Sequence, residues 1–209
     1  MNPLKLLIDD YIRKHRRVAE RQQQWFSIQP DLRTAVEVAV LATSPSGKRL
    51  HHQRRIPGRV LQESCARLLE RLPELERAPS FEELHQLVGS IIRPIWGIGE
   101  LAIYDTALRI GAFLRLEPSK VFLHAGTRAG VRALGLDVSR EFVEVTELPV
   151  EFHSLTPREV EDALCIYKDR FHSAVPAQQD ALADAARGAL ADSHLPGTTL
   201  RPATPEAGK

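Results

Sequence analysis

Residues 80–115 read SFEELHQLVGSIIRPIWGIGELAIYDTALRIGAFLR. Ser80 and Glu83 have the spacing of a capping box, in which each side chain bonds an end amide of the other residue at a helix N-terminus. Apolar residues then recur three and four positions apart, which predicts a helix with one buried face. After the turn Trp96-Gly97-Ile98-Gly99, a second apolar pattern predicts another helix over 100–114. The stretch therefore predicts two packed helices joined by a glycine turn.

The glycine turn resembles the helix-hairpin-helix motif, whose hairpin reads hydrophobic-x-Gly-hydrophobic-Gly. Ile95, Gly97, Ile98 and Gly99 match this pattern. The resemblance covers 82–115 and implies sequence-independent contact with a nucleic-acid backbone, usually across the minor groove. Glycine lets the backbone come close to a ligand, and the unpaired amides at a helix N-terminus attract phosphate. Hairpins of the family commonly carry Lys or Arg after the second glycine, whereas this chain has an acid, Glu100.

A second turn, LHAGTRAG at 123–130, can be interpreted as a degenerate copy of the first. It lacks Gly-x-Gly, but Gly126, Thr127 and Arg128 are candidate donors to a second phosphate. Together the two hairpins would form a compact domain over 80–136. The spacing of Gly126 and Gly130 equally suits a close contact between two helices, so a packing role stays open. The segment before this turn is predicted to form a short helix over 121–124.

Charge is distributed unevenly along a chain whose net charge is only +1. Residues 1–60 carry 12 Lys and Arg against 5 Asp and Glu, a balance of +7, so the remainder sums to −6. The run KRLHHQRR at 48–55 contains no acid, and its cations either attract phosphate or are merely exposed. Segment 137–165 holds 8 acids and 2 bases, and could dock a basic protein partner or the chain's own N-terminus. The candidate phosphate-attracting residues of the run are Lys48, Arg49, Arg54 and Arg55.

Catalytic candidates are few, and the sequence contains no Walker loop, Gly-x-Ser-x-Gly or His-Glu-x-x-His motif. The stretch from Tyr104 to Arg109 resembles the Asp-Thr-x-x-x-Arg segment of helix-hairpin-helix DNA glycosylases, in which the aspartate is catalytic, although only two residues separate Thr106 from Arg109 here. Those enzymes place the aspartate on a later, separate helix, whereas Asp105 shares the helix that the glycine turn opens. An ion pair between Asp105 and Arg109, four residues apart, is the alternative. A pocket that an enzyme could use would be lined by Tyr104, Asp105, Arg109, His124 and Arg128.

The expected fold is mainly α: a helical bundle around a tandem helix-hairpin-helix domain, with at most one or two short strands. We divide the chain into an N-terminal helical region at 1–79, the hairpin domain at 80–136, an acidic strap and helix at 137–176, and a weak helix with a disordered tail at 177–209. Two cysteines exclude a disulfide scaffold and indicate a reduced, cytoplasmic setting. We expect no metal site and no cofactor, and no apolar run is long enough to span a membrane.

The function favoured by these patterns is non-sequence-specific binding of duplex DNA, through the hairpin amides and the basic run. Few aromatic residues accompany the basic ones, which favours a duplex over a single strand. Two alternatives of other classes stay open. One is an enzyme acting on DNA or a nucleotide at a pocket near Asp105 and His124. The other is a protein–protein interaction module that uses the acidic segment 137–165.

Overall fold

The structure is a computed structural model that describes residues 2–174. Within them the chain is mainly α-helical with one antiparallel two-stranded sheet, which confirms the predicted fold class. The predicted weak helix and tail at 177–209 lie outside the described residues. The elements are α1 Pro3–Tyr11, α2 Arg17–Ser27, α3 Leu32–Val40, α4 Gly58–Leu69, α5 Leu72–Glu76, α6 Phe81–Ile92, α7 Glu100–Leu114, β1 Val121–Phe122, α8 Ala125–Ala133, β2 Phe142–Val143, α9 Pro157–Tyr167 and α10 Phe171–Ala174.

The N-terminal helix predicted from apolar spacing is present, and a π-helical turn at Ile12–Arg16 joins α1 to α2. The Asn2 side chain caps α1 by accepting a hydrogen bond from the Leu4 amide at 2.9 Å. The apolar face of α1 packs on α9 and α10. The N-terminus of the chain is therefore held against its C-terminal helices by the buried residues Leu4, Leu7, Ile8 and Tyr11.

Helix α7 lies at the centre of the core. Ten of its fifteen residues are buried, and it packs against α2, α3 and α6. The apolar cluster around it extends from Val36 in α3 to Phe122 in β1. Helices on both sides of the predicted segment boundary at residue 79 therefore contribute to one shared core.

The predicted short helix at 121–124 is wrong, because Val121 and Phe122 form strand β1. They pair with Val143 and Phe142 of β2 in antiparallel register. A helix cannot continue back through His124, whose extended backbone (φ −117°, ψ −177°) makes it the N-cap of α8. Apolar residues alternate over 141–152, which predicts one short strand or an extended strap, and β2 forms at the start of this stretch.

Helices α8 and α9 approach closely, as the glycine spacing in the second turn predicts. A Cβ atom added to Gly130 would lie 2.5 Å from the Leu164 carbonyl oxygen, and one added to Gly126 would lie 2.7 Å from Cys165 Sγ. Larger residues would push the two helices apart. Both glycines therefore allow α8 to pack closely against α9.

Candidate functional site

The first glycine turn is exposed and leaves the start of α7 open. Gly97 adopts φ +99°, a backbone conformation that other residues rarely adopt. Gly99 is the N-cap of α7 with extended backbone, and no side chain caps the helix there. Ile103 is the first residue whose amide bonds back to the turn, at 3.2 Å from the Gly99 carbonyl oxygen. The preceding amides therefore lie open at the positive end of the helix dipole.

Glu100, the departure from the hairpin pattern, does not cap these amides. Its carboxylate instead contacts Arg128, with Oε1 3.2 Å from Nη2. Arg128 is also held by the protein, since its Nη1 donates to the carbonyl oxygens of Val138 and Arg140 at 2.6 and 2.7 Å. Arg128 thus offsets the acid beside the first turn, and its guanidinium is already engaged within the chain.

The second turn does not present the donors that the sequence predicted for it. Thr127 is fully buried, and its Oγ1 accepts from the His124 amide at 2.7 Å. Gly126 lies against α9, and His124 bonds Glu161 through Nε2. The predicted phosphate contacts of Gly126 and Thr127 need correction. The Gly126 amide donates to His124 Nδ1 at 3.3 Å, and the Thr127 hydroxyl is engaged by the His124 amide and the Phe122 carbonyl oxygen.

The basic run forms an exposed loop that leads into α4. Arg49 Nη1 donates to the Ile56 carbonyl oxygen at 2.9 Å, and its Nη2 lies 3.6 Å from the position of a Cβ atom on Gly58. No acid occurs between residues 38 and 62. Pro57 precedes α4 and supplies no side-chain cap, so this helix also begins with open amides. The exposed cations of this loop and of the first turn of α4 are Lys48, Arg54, Arg55 and Arg59.

The structure brings the glycine turn and the basic loop together. A Cβ atom on Gly97 would lie 3.9 Å from the side chain of Val60, in the first turn of α4. The glycine turn that precedes α7 therefore lies against the first turn of α4, which carries Arg59 and follows the basic loop in sequence. We call this surface, residues 48–59 and 93–99, the basic face.

A cavity of about 170 Å³ lies between α2, α7 and α9. His52 of the basic loop lines it with a side chain that is 53% exposed, so the cavity opens beside the basic face. The predicted five-residue pocket does not form as one site. Asp105 and Arg109 line this cavity, Tyr104 and His124 line a separate one of about 20 Å³, and Arg128 lines neither.

Asp105 is held by three neighbours. Its Oδ2 accepts from Arg109 Nη2 at 3.0 Å and from the Gln53 amide, and His52 Nδ1 lies 3.7 Å away. Burial alone would raise the pKa of Asp105, but Arg109 and His52 outweigh it and keep that pKa below its ordinary value. Asp105 in turn raises the pKa of His52, against the effect of burial. The predicted ion pair between Asp105 and Arg109 is therefore present, and His52 lies within ion-pair distance of the same carboxylate.

Two acids of α9, Glu161 and Asp162, line the same cavity, and their pKa values are raised whereas that of Asp105 is lowered. Burial raises the pKa of Glu161. Burial and the neighbouring Glu161 raise the pKa of Asp162 to about 7. Asp162 Oδ2 accepts from the Tyr11 hydroxyl at 3.1 Å. Gln23 and Arg158 also line the cavity; within residues 2–174, Gln23 Nε2 is buried without a hydrogen-bond partner, and Arg158 Nε lies 3.7 Å from the Glu117 carboxylate. The cavity is therefore lined by a carboxyl group whose pKa is raised towards neutral pH and by polar side chains.

The acidic segment 137–165 is largely engaged inside the chain. Arg16 donates to both oxygens of Glu159, at 2.6 and 3.2 Å. Seven of the eight acids have a hydrogen-bond or ion-pair partner among the described residues, so docking on the chain's own N-terminus accounts for part of the segment. These seven are Asp137, Glu144, Glu147, Glu151, Glu159, Glu161 and Asp162.

No protein-family model, curated protein or solved structure matches this chain. Among residues 2–174, no three His, Cys, Asp or Glu side chains are arranged to hold a metal ion. In the same part of the chain, no helix has the length and apolar character needed to cross a membrane. The assignment of function therefore depends on the two sites described above.

Proposed function

We propose that this protein binds the phosphate backbone of nucleic acid, with duplex DNA favoured, at the basic face and without sequence specificity. The observation that carries the proposal is the contact between the glycine turn before α7 and the first turn of α4, two helices without side-chain N-caps, next to a loop of exposed cations. Backbone amides at helix N-termini bind phosphate, and the glycines at 97 and 99 leave room for a strand to approach. A DNA-binding role also fits the reduced, cytoplasmic setting that the cysteines predict.

The proposal predicts how strongly the affinity for DNA should depend on salt concentration. Two helix N-termini and the side chains of Lys48, Arg54, Arg55 and Arg59 can neutralise several phosphates. If four to six phosphates are neutralised, the slope of log affinity against log salt should be about −4 to −5.

Fluorescence anisotropy of a labelled random-sequence duplex, titrated at several salt concentrations, tests the proposal. Gly99→Asp adds a capping carboxylate in a place where a Cβ atom meets nothing within 4 Å. It should preserve α7 and weaken binding at least about tenfold, because the added charge repels phosphate. Gly99→Asn is the matched control, since its cap carries no charge, and it should weaken binding less.

A second pair of variants tests the loop. Arg54→Glu combined with Arg55→Glu should weaken binding and make it less salt-dependent. Arg77→Glu, at an exposed residue beyond the other end of α6, should change it little. Absence of wild-type binding at low salt, with circular dichroism showing a folded protein, would remove the nucleic-acid proposal.

A second candidate function is acid–base catalysis on DNA or a nucleotide in the cavity. It is favoured by one observation, the buried Asp105 that contacts His52 at the cavity opening beside the basic face. A carboxylate on Nδ1 fixes the ring so that Nε2 can take or give a proton. The test is mass spectrometry of DNA and deoxynucleotides incubated with the protein. His52→Gln should abolish product formation and leave anisotropy unchanged; absence of any product with wild type would contradict this candidate.

A further inference from the structure

Trp96, at the tip of the first hairpin, is 85% exposed, the highest exposure of any large hydrophobic side chain among residues 2–174. The only other tryptophan of the chain, Trp25, is half-buried and donates Nε1–H to the Thr43 carbonyl oxygen at 3.1 Å. Leaving an indole in water forfeits the largest apolar burial that any side chain can contribute. The position of Trp96 therefore does not serve the packing of the described core.

Trp96 belongs to the basic face. It lines a shallow groove with Arg59, Val60 and Glu63 of α4, and with Pro94 and Ile95 of its own turn. The Glu63 carboxylate is paired with Arg67 Nη2 at 2.6 Å. Gly97, with φ +99°, follows it directly, so Trp96 lies three residues before Gly99, the N-cap of α7, and its groove is shared with the first turns of α4. A strand whose phosphates meet Arg59 and the α7 amides would bring its bases within reach of the ring.

We propose that Trp96 stacks on an unpaired base, so that the preferred ligand of the basic face is duplex DNA interrupted by a single-stranded gap. This inference depends on the proposed nucleic-acid binding. Every base inside an intact duplex is stacked on both faces, and only an unpaired base offers a free face to an indole. The sequence favours a duplex because few aromatics accompany the basic residues, and the structure places one aromatic among them. A single aromatic ring can stack on one unpaired base while the surrounding cations contact the flanking duplex.

The test uses Trp96 as its own reporter in a Trp25→Phe variant, where it is the only tryptophan. The two probes are an intact duplex and the same duplex with a short gap in one strand. The gapped duplex should bind about 5-fold to 100-fold more tightly. It should also quench Trp96 fluorescence and protect the ring from acrylamide. In the otherwise wild-type chain, Trp96→Ala should lose the preference for the gapped duplex, and Trp96→Phe should retain part of it.

The outcomes separate this inference from the proposed function. If both duplexes bind equally and Trp96 fluorescence does not change at saturation, stacking is overturned and backbone binding stands. If Trp96→Ala weakens both duplexes equally, Trp96 contributes general contact and does not recognise an unpaired base, which also overturns the inference. If the folded wild type binds neither duplex at low salt, the proposed function fails and the inference fails with it.

Discussion

Arg109 forms a buried ion pair with Asp105 at the wall of the cavity. Its side chain is 4% exposed, and it donates to Asp105, to Gln53 Oε1 at 3.1 Å and to the Ala39 carbonyl oxygen at 3.1 Å. A buried ion pair at best roughly offsets the desolvation of its two charges. Apolar residues would fill the same space without that penalty. The pair is therefore better explained by the groups that it holds in place, Gln53 and His52, than by stability.

Removing one partner of this pair should be far more damaging than removing both. Arg109→Met leaves the buried carboxylate of Asp105 without its main compensating charge, so we expect a loss of about 3–5 kcal/mol in the free energy of unfolding. Combining it with Asp105→Leu should recover part of that loss. Urea denaturation of the two single variants and the double variant measures this as a double-mutant cycle. Additive losses would show that the two charges do not depend on each other.

Asp162 should make stability depend on pH. Burial raises its pKa from the ordinary 3.8 to about 7, so between these values the folded protein holds a proton that the unfolded chain has lost. Its contribution to stability is therefore full below about pH 4 and is lost as the pH rises through 7. Asp162→Asn should stabilise the protein more at pH 8 than at pH 5, by up to about 2 kcal/mol.

The comparison for this pH effect is urea denaturation of wild type, Asp162→Asn and Asp169→Asn at the two pH values. Asp169 is exposed on the chain segment after α9, so its substitution removes the same charge from a solvated position. The Asp169 variant should follow wild type at both pH values. An equal gain from both aspartate variants would trace the effect to net charge instead of burial.

At the scale of the element, helices that carry their own start signals are predictable from sequence. Ser80 accepts from the Glu83 amide at 3.2 Å, and Thr156 with Glu159 forms the complete reciprocal box. Strand β1 carries no such signal, because a two-residue strand has no period and its partner lies 22 positions away. Its apolar residues therefore fitted a short helix equally well. Residues 121–122 form a strand because they pair with β2 and because the extended backbone of His124 starts α8 only after them.

The close approach of α8 and α9 gives the prediction at this scale. Alanine favours helices over glycine by about 1 kcal/mol, yet Gly130→Ala would set a Cβ atom against the backbone of α9. We expect it to destabilise the protein by about 2 kcal/mol or more, through overpacking. The matched control is Gly89→Ala in α6, where a Cβ atom meets its nearest neighbour at an ordinary 3.5 Å.

Thermal denaturation followed by circular dichroism compares the two glycine variants. Gly89→Ala should leave the melting temperature unchanged or raise it, whereas Gly130→Ala should lower it. If both variants were equally stable, α8 and α9 would have room to separate. The packing role assigned to Gly130 would then be incorrect.

At the scale of the whole molecule, the candidate sites join residues that are far apart in sequence. Gln53 bonds Asp105 across 52 positions, and His124 bonds Glu161 across 37. Helical periodicity could locate Asp105 and α7, but no local pattern indicated that His52 would lie beside that carboxylate. Arg158, Glu161 and Asp162 stood out only as part of a charged segment. Their spacing on α9 was the available signal, since it puts charges on the side of a helix that packs inward.

The same long-range dependence predicts that residues 80–136, although they contain both turns, do not fold alone. In the full chain, α7 is covered by α2 and α3 as well as by α6. Arg109 lies 5.5 Å from the Phe26 ring and bonds Ala39 and Gln53, none of which the fragment contains. The fragment would therefore expose one apolar side of α7 and leave a charged pair without its support. Circular dichroism should show a largely unfolded peptide with no cooperative melting, beside a full chain that melts cooperatively. A helical fragment with its own sharp transition would instead make 80–136 an independent domain.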